Sequence, residues 1–185
     1  MKNKIDLKNY DNSWFKPGHK LKCICWYIIN ELVLKNTLLP FSKLKIIVLK
    51  FFGAKIGKGV IIKPGVNIKY PWKLKIGDHC WVGENVWIDN LDQVTLSNNV
   101  CISQGAMLLC GNHNFKKSTF DLILKPINLE EGVWVGAKSI VCPGVTLKTH
   151  SILSVGSVAN QNLEAYGIYK GNPAIKINDR HLLNS

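Results

Sequence analysis

An aliphatic side chain returns every six residues through the middle of the chain, beginning at Ile56. A small or β-branched residue follows many of them four positions later, as at Val60, Val86 and Ser139. A period of six fits neither the 3.6-residue period of an α-helix nor the two-residue alternation of a simple strand. It predicts a triangular solenoid with six-residue sides and one inward aliphatic on each side. The inward positions are Ile56, Ile62, Ile68, Ile76, Val82, Ile88, Leu96, Ile102, Leu108, Leu129, Val135, Val141, Leu147, Leu153 and Ala159.

Three such sides make one coil of about 18 residues, and about five coils fit between Ala54 and Asn160. A coil hides its apolar interior only by stacking on its neighbours. An ordinary β-sandwich of alternating strands would not keep a period of six. The sequence therefore predicts an all-β solenoid, a parallel β-helix, over residues 54–163. Residues that tolerate left-handed backbone angles fall at the expected turns, namely Asp78, Asn85, Asn98 and Asn99.

Two segments break the six-residue period. Residues 69–75 form a short interruption, and residues 109–128 form a much longer one. A long excursion from a rigid scaffold is typical of a functional loop. We therefore expect residues 109–128, which include Cys110 and His113, to form a catalytic loop.

The first 53 residues lie outside the repeat and show helical spacing. A solenoid needs its open end covered, so residues 1–53 are predicted to form a helical, basic cap. Residues 164–185 are predicted to form a loop and a tail. One helix is indicated by Leu21, Ile24, Ile28 and Leu32. A second begins after Pro40 with Ser42 as its N-cap and ends at Gly53, with an apolar face of Leu44, Ile47, Val48 and Phe51.

Positive charge is concentrated in this N-terminal part. The net charge is +12, from 24 basic and 12 acidic residues, and only Asp6, Asp11 and Glu31 are acidic before residue 76. No helix-turn-helix, zinc-finger or RNA-binding motif accompanies the charge, so we expect no nucleic-acid partner. A second interpretation of the cap is peripheral contact with an anionic membrane. The predicted membrane patch consists of Trp14, Phe15, Trp26 and Tyr27 with Lys16, Lys20, Lys22, Lys43 and Lys45.

Cysteine spacing and apolar run lengths indicate the compartment. None of the six cysteines forms a C-x-x-C pair, and Cys23 and Cys25 are too close for a zinc knuckle, so we expect reduced thiols and no metal. The longest apolar run, Cys23 to Ile29, is far below the roughly 20 residues that span a bilayer. No signal-peptide core follows Met1. These features predict a cytoplasmic protein.

Several longer motifs resemble a known family. They are the hexapeptide array, the loop motif Gly111-Asn112-His113 and the closing Gly171-Asn172-Pro173-Ala174. Together they resemble the left-handed β-helix acyltransferases. The segments Gly53–Leu74, Glu84–Leu91 and Asn99–Ala106 are most similar to the colanic-acid-type O-acetyltransferases of polysaccharide synthesis. The resemblance covers nearly the whole chain.

The resemblance implies a homotrimer, acetyl-CoA as donor and active sites between neighbouring subunits. It implies that His113 is the general base, with Asn114 standing where the subgroup more often has aspartate. The acceptor-binding position of galactoside acetyltransferases matches Asp89, and we add Asn90, Asn112 and Asn114 as candidate acceptor residues. The implied coenzyme A contacts are Ala137, Val155, Asn160, Gln161 and Lys176, where Asn160-Gln161 replaces the usual Thr-Lys pair.

The chemistry of the residues agrees with acyl transfer to an alcohol. An alcohol needs a base that titrates near neutral pH, which suits histidine. His79 and His150 fall at solenoid turns and His19 and His181 in the flanking segments, so only His113 stands in the long loop. Covalent transfer through Cys110 is the alternative to direct attack in a ternary complex. Further candidates for the donor are Trp134 along the pantetheine, a backbone N–H near Gly136 at the oxyanion, and Lys170 and Lys176 at the phosphates.

Four functions compete at this stage. The first is O-acetylation of a sugar hydroxyl in a surface polysaccharide, on a free or lipid-linked saccharide acceptor. The second keeps the enzyme but changes the acceptor to a sugar amine, a nucleotide sugar, serine or a xenobiotic. A carbonic-anhydrase-like zinc enzyme needs three histidines, and His113 has no partner within its loop. A non-catalytic scaffold trimer would not need the histidine loop.

Overall fold

The computed structural model describes residues 4–183. Most of its strands pair in parallel and form three sheets, which are the three faces of a solenoid. Face 1 contains β1 (Lys55–Ile56), β4 (Leu74–Ile76), β7 (Val94–Leu96), β12 (Ile127–Leu129) and β15 (Thr146–Leu147). Face 2 contains β2 (Ile61–Ile62), β5 (Trp81–Val82), β8 (Cys101–Ile102), β13 (Trp134–Val135), β16 (Ile152–Leu153) and β18 (Gly167–Gly171). Face 3 contains β3 (Asn67–Ile68), β6 (Trp87–Asp89), β9 (Met107–Leu109), β14 (Ile140–Val141) and β17 (Val158–Ala159).

The six-residue period places one aliphatic of each side in the interior. Every inward position predicted from Ile56 to Ala159 is buried, and none is more than 8% exposed. Strand pairing keeps these positions in register, so that on face 2 Ile62 stacks on Val82 and Val82 on Ile102. Five coils occupy residues 54–160. Strand β18 pairs in parallel with β16 and so begins a sixth coil, which is incomplete. The predicted parallel β-helix of hexapeptide repeats is confirmed.

The polar residues predicted at turns do two different jobs. Asn85 and Asn99 adopt left-handed backbone angles, with φ of 57° and 58°. Asp78 and Asn98 instead link successive coils. The Asp78 carboxylate accepts the Lys58 N–H at 2.7 Å, and Asn98 Oδ1 accepts the Asp78 N–H at 2.8 Å. The side chains of Asp78 and Asn98 therefore accept hydrogen bonds from backbone N–H groups that the short strands leave without a partner.

Two helices cover the first coil. A short 3₁₀ turn (Leu7–Asn9) precedes α1 (Lys20–Ile29), which continues as a π-helical segment (Asn30–Leu34), and α2 spans Ser42–Phe51. A 3₁₀ turn (Pro71–Lys73) occupies the first interruption of the repeat. Ser42 is not the N-cap of α2, because Phe41 holds that position and the Ser42 hydroxyl accepts the Ile62 N–H at 2.9 Å.

The helical cap exists, but it packs through residues other than those predicted. Trp26, Leu34 and Leu49 are buried against the first coil, and Trp26 Nε1 donates to the Ile68 carbonyl at 2.8 Å. Most residues of the two predicted apolar stripes face outward instead, whereas Val48 of the α2 stripe packs against the core. The exposed members are Leu21, Ile24 and Ile28 on α1, Leu32 on the π-helical segment, and Leu44, Ile47 and Phe51 on α2.

The predicted membrane patch of four aromatics is wrong as a single surface. Trp14 and Tyr27 are exposed, but Trp26 is buried in the cap. Phe15 packs against Tyr70 with ring centroids 6.4 Å apart. Lys45 is also buried, because α2 turns it toward the first coil, where its Nζ donates to the Lys63 carbonyl at 3.0 Å.

The C-terminal segment, for which the sequence predicted a loop and tail, contains two strands. Strand β18 extends face 2, and β19 (Ala174–Asp179) pairs antiparallel with it. Tyr169 and Ala174 are buried, so this hairpin continues the core. Arg180 Nη1 then donates to the Gly132 carbonyl at 2.9 Å and ties the end of the chain to an earlier coil.

Candidate active site

In the predicted 109–128 excursion, Leu109 belongs to β9 of face 3 and residues 127 and 128 to β12 of face 1, whereas residues 110–126 leave the solenoid and form a β-hairpin. Its strands are β10 (Gly111–His113) and β11 (Leu122–Leu124), and the antiparallel register pairs His113 with Leu122. The Asn114 N–H donates to the Asp121 carbonyl at 2.7 Å. Hydrogen bonds from Lys117 and Thr119 hold the pKa of the Asp121 carboxyl below its usual value. The hairpin tip is therefore stabilised by its own hydrogen bonds, which fix the position of His113.

The His113 imidazole is fixed in one orientation by Phe120. Its Nδ1 lies 2.8 Å from the Phe120 carbonyl, and the two rings stack with centroids 4.5 Å apart at 8°. Phe120 reaches this position through a left-handed backbone, with φ of 54°. A carbonyl only accepts hydrogen bonds, so Nδ1 carries the hydrogen in the neutral ring. The lone pair is then on Nε2, as a general base requires.

His113 lies in a pocket of about 460 Å³ whose outer wall is the N-terminal segment. That wall consists of Tyr10, Asn12, Phe15 and Pro17. The solenoid contributes Lys69, Tyr70 and Leu91, and the hairpin contributes Leu122 beside His113. The Tyr10 ring lies 5.7 Å from the His113 ring. We refer to this space as the histidine pocket.

The N-terminal wall of the histidine pocket is held by a hydrogen bond at each end. The Asp6 N–H donates to the Ser118 carbonyl on the hairpin at 2.8 Å. At the other end Trp72 Nε1 donates to the Pro17 carbonyl at 2.7 Å. Residues 6–17 therefore form a strap across the histidine pocket. Tyr10 and Asn12 are not marked as site residues by the sequence, because the strap has no periodic signal and its contacts are distant along the chain.

Comparison with known proteins identifies the family. The chain is 33% identical over 166 residues to "Putative colanic acid biosynthesis acetyltransferase WcaF" of Escherichia coli strain K12. This alignment covers 90% of this chain and 91% of the relative. It is 26% identical over 133 residues to galactoside O-acetyltransferase of the same strain, covering 69% of this chain and 66% of the relative. The chain belongs to the hexapeptide-repeat acetyltransferases. No family model matches it.

Solved structures share the fold of this acetyltransferase. A hexapeptide-repeat acetyltransferase from Vibrio cholerae, in complex with acetyl coenzyme A, superimposes with a TM-score of 0.76 at 18% identity, covering 88% of this chain and 87% of that one. Galactoside acetyltransferase in complex with coenzyme A gives a TM-score of 0.77 at 21% identity, covering 87% and 82%. At these identities the likeness shows a common fold.

The predicted acceptor residues of this acetyltransferase have different surroundings. Asp89 ends β6, and its Oδ1 lies 3.0 Å from Lys69 Nζ, close enough for an ion pair although outside hydrogen-bond geometry. Asn112 is exposed, and its Oδ1 accepts the His113 N–H at 2.8 Å. Asn114 Oδ1 accepts the Lys116 N–H at 3.2 Å. Both asparagines therefore stabilise the hairpin locally, while Asp89 fixes Lys69 beside the histidine pocket.

Asn90 holds the backbone of the pocket wall. It is fully buried, with Oδ1 accepting the Tyr70 N–H at 3.0 Å and Nδ2 donating to the Tyr70 carbonyl at 2.6 Å. Both ends of the amide are thus engaged, and the side chain has no exposed surface for an acceptor. We assign Asn90 the role of positioning Tyr70 instead of the predicted acceptor contact.

The predicted donor residues lie on and beside two corners of the solenoid and on the C-terminal hairpin. Gly136, Ala137 and Val155 occupy the turns between face 2 and face 3, with Trp134 just before them on face 2. Asn160 and Gln161 follow β17 at the corner between face 3 and face 1. His113 also follows face 3 and belongs to this second corner. Lys170 and Lys176 are exposed on the β18–β19 hairpin.

The local contacts of the donor candidates refine their roles. The Gly136 N–H donates to the Leu153 carbonyl at 2.7 Å, so it is occupied within the solenoid. The Ala137 N–H makes no hydrogen bond within residues 4–183. Lys176 Nζ lies 2.6 Å from Asp179 Oδ1, and this carboxylate raises the pKa of the lysine. Val155 is 66% exposed.

Cys110 is unsuited to covalent catalysis. The side chain is fully buried, and burial raises the pKa of its thiol to about 11. A thiol with this pKa is almost entirely protonated at neutral pH, whereas the thiolate is the nucleophile. Within residues 4–183 no group of three or more His, Cys, Asp or Glu side chains could hold a metal ion.

We expect Cys110→Ala to keep the turnover number within about threefold of wild type, because the thiol does not carry the acyl group. The lost packing should lower the free energy of unfolding by about 1–2 kcal/mol. Steady-state assays and thermal unfolding measure the two effects separately. A loss of turnover above a hundredfold in folded protein would restore the covalent route.

Proposed function

We propose that this enzyme transfers an acetyl group from acetyl-CoA to a sugar hydroxyl in the biosynthesis of a bacterial surface polysaccharide. The observation that carries the proposal is the His113–Phe120 contact, because it places the hydrogen of the neutral imidazole on Nδ1 and leaves the Nε2 lone pair available in a pocket of substrate size. Support comes from relatives whose names specify colanic acid biosynthesis and galactoside O-acetylation. The polar wall of Asn12, Lys69 and Tyr70 suits a hydroxylated acceptor.

The proposed reaction is direct transfer in a ternary complex. His113 Nε2 takes the proton of the acceptor hydroxyl while the hydroxyl oxygen bonds to the thioester carbonyl carbon. The carbon–sulfur bond then breaks, and the imidazolium returns the proton to the departing sulfur. The free Ala137 N–H is the candidate donor to the oxyanion. The Phe120 carbonyl stabilises the imidazolium through the Nδ1 hydrogen bond.

We infer that the active unit is a homotrimer with each site shared between two chains. Within one chain His113 and the Ala137–Val155 corner lie at opposite edges of face 3. A six-residue side spans about 20 Å, so one chain does not bring these groups together. Face 2 also presents an outward apolar ladder, as expected for a subunit contact. The ladder consists of Ile61, Trp81, Cys101, Trp134, Ile152 and Ile168.

An acceptor screen tests the proposed activity. Acetyl-CoA is incubated with the enzyme and a panel of methyl glycosides, amino sugars, nucleotide sugars, serine and phenolic xenobiotics, and the released thiol is recorded. We expect turnover with neutral glycosides, and mass spectrometry should place the acetyl group on oxygen. Turnover confined to an amine would contradict O-acetylation, and thiol release without any acceptor dependence would contradict acyl transfer.

We further propose that the cap contacts an anionic membrane, where a lipid-linked acceptor could be delivered. None of the helices described between residues 4 and 183 is long and apolar enough to cross a bilayer. The outward stripe of α2, with Ile47 65% exposed and Phe51 85% exposed, is flanked by exposed Lys43 and Lys50. An amphipathic helix of this kind lies in the membrane–water interface, and its lysines are attracted to acidic lipid.

We expect sedimentation with vesicles of phosphatidylglycerol and phosphatidylcholine at low salt, and less with phosphatidylcholine alone. Ile47→Glu with Phe51→Glu should weaken binding at least about tenfold, because two apolar side chains no longer enter the lipid. Ile177→Glu is the matched control, since Ile177 is 54% exposed on the opposite, C-terminal hairpin. Equal binding of the double variant and the control would contradict docking through the cap.

A further inference from the structure

A second pocket lies between the α1–π-helical segment and the first two strands of face 3. Its volume is about 560 Å³, larger than that of the histidine pocket. Its lining combines aromatic rings with amide and charged groups, and we call it the helix pocket. The residues that matter below are Tyr27, Asn30, Glu31, Asn67, Tyr70 and Trp87.

Aromatic surface is available on two sides of the helix pocket. Tyr27 on α1 is 69% exposed, and Trp87 on β6 is 38% exposed. Trp26 and Ile68 form the buried floor. Exposed rings in a concave site offer flat apolar area at a low cost in conformational entropy. The apolar C–H face of a pyranose ring has the shape and polarity to lie on such a ring.

The polar groups of the helix pocket are held in place. Asn30 is buried, and its Nδ2 donates to Asn67 Oδ1 at 2.8 Å. The Asn67 Nδ2 makes no hydrogen bond within residues 4–183, so it can donate to a ligand. Glu31 and Lys35 form an ion pair at the rim. A few oriented amide and charged groups among aromatic rings are the usual means by which a pocket orients a polar ligand.

The helix pocket adjoins the histidine pocket. Lys69 and Tyr70 line both of them. Asn90 fixes the Tyr70 backbone by two hydrogen bonds, and the Asp89 carboxylate pairs with Lys69. The ridge between the pockets is therefore rigid, and its two sides are accessible to different parts of one elongated molecule.

We propose that the helix pocket binds a second sugar unit of the acceptor while the acetylated unit occupies the histidine pocket. The inference rests on the proposed sugar acceptor and adds that this acceptor is an oligosaccharide. The neighbouring sugar stacks on Tyr27 and Trp87, and its hydroxyls accept from Asn67 Nδ2 and donate to the Glu31 carboxylate. Binding energy from this remote unit then favours longer acceptors over a single sugar.

The test compares acceptors of two lengths. The probes are the methyl glycoside that the acceptor screen identifies and the di- and trisaccharides that contain the same sugar. We expect wild type to show a KM about tenfold lower for the longer probes. Tyr27→Ala and Trp87→Ala should each raise that KM by about three- to tenfold, the range for loss of one aromatic contact, with no change for the methyl glycoside.

A matched control is Tyr166→Ala, because Tyr166 is 43% exposed in the last coil and lies outside both pockets. Oligosaccharide binding is also titrated directly by tryptophan fluorescence, and solution scattering follows the assembly state. Equal KM changes for both probe lengths, absence of oligosaccharide binding, or loss of the trimer in Trp87→Ala would each overturn the inference. Turnover of the methyl glycoside without a length preference would overturn the helix-pocket site and leave O-acetylation standing.

Discussion

We expect His113→Ala to lower the turnover number by about 10² to 10⁴, the usual contribution of a general base. The effect should fall on kcat more than on the KM for acetyl-CoA, because a general base acts in the transition state and is not needed to bind the donor. His113 is stacked on Phe120 at the surface of the hairpin and carries none of the solenoid core, so the variant should fold. Circular dichroism and solution scattering establish the fold and the assembly state before the assay.

His79→Ala is the matched control for this prediction. His79 occupies a solenoid turn with φ of 55° and lies outside both pockets, so its loss should leave kcat within about twofold. Tyr10→Phe and Phe120→Ala extend the series, since they alter the neighbours of the imidazole and not the imidazole itself. If His113→Ala retained more than a third of wild-type turnover in folded protein, His113 would have no part in proton transfer.

The solenoid could be predicted from the sequence because its signal is periodic and its cause is burial. Each inward residue, such as Ile62 or Leu108, repeats the environment of the residue one coil away, so one rule accounts for all of them. The excursion was equally visible as a loss of that period. Its hairpin structure was not, because the register that places His113 opposite Leu122 depends on pairs of residues and not on a repeat.

The helical cap shows the limit of periodic signals. Spacing groups Leu21, Ile24 and Ile28 on one face, but it does not tell whether that face meets the core or the solvent. In the structure the core side of α1 is set by Trp26, whose indole N–H reaches the Ile68 carbonyl. A ring that bonds a strand 42 residues away leaves no local pattern in the sequence. The apolar stripe of α1 is therefore left exposed, as is the α2 stripe for which membrane contact is proposed above.

A sequence marks a candidate site residue by its chemistry and not by its geometry. His113 is the predicted base because one histidine stands in the long loop, and this role stays a prediction. Asn90 is a predicted acceptor-binding residue, but in the structure its side chain is hydrogen-bonded to the backbone of Tyr70. Tyr10 was missed because only the folded strap brings it to the imidazole.

Mixing two inactive variants should restore activity if each site is shared between chains. His113→Ala removes the base, and Val155→Trp should block the donor corner without a cost in folding, because Val155 is 66% exposed. In trimers assembled at random from equal amounts of the two, about one site in four pairs an intact base with an intact donor corner. We therefore expect about a quarter of wild-type turnover, at least tenfold above either variant alone.

The control mixes His113→Ala with His113→Gln, in which no combination of chains supplies a base. That mixture should stay at the level of its components. The two chains are co-expressed in equal amounts and purified through one shared tag, so that the trimers keep their random composition, and released thiol measures turnover at a low concentration of acetyl-CoA. A site built within one chain would give no recovery in either mixture, because every chain would then carry its own defect. The face that separates His113 from Ala137 makes recovery the expected result.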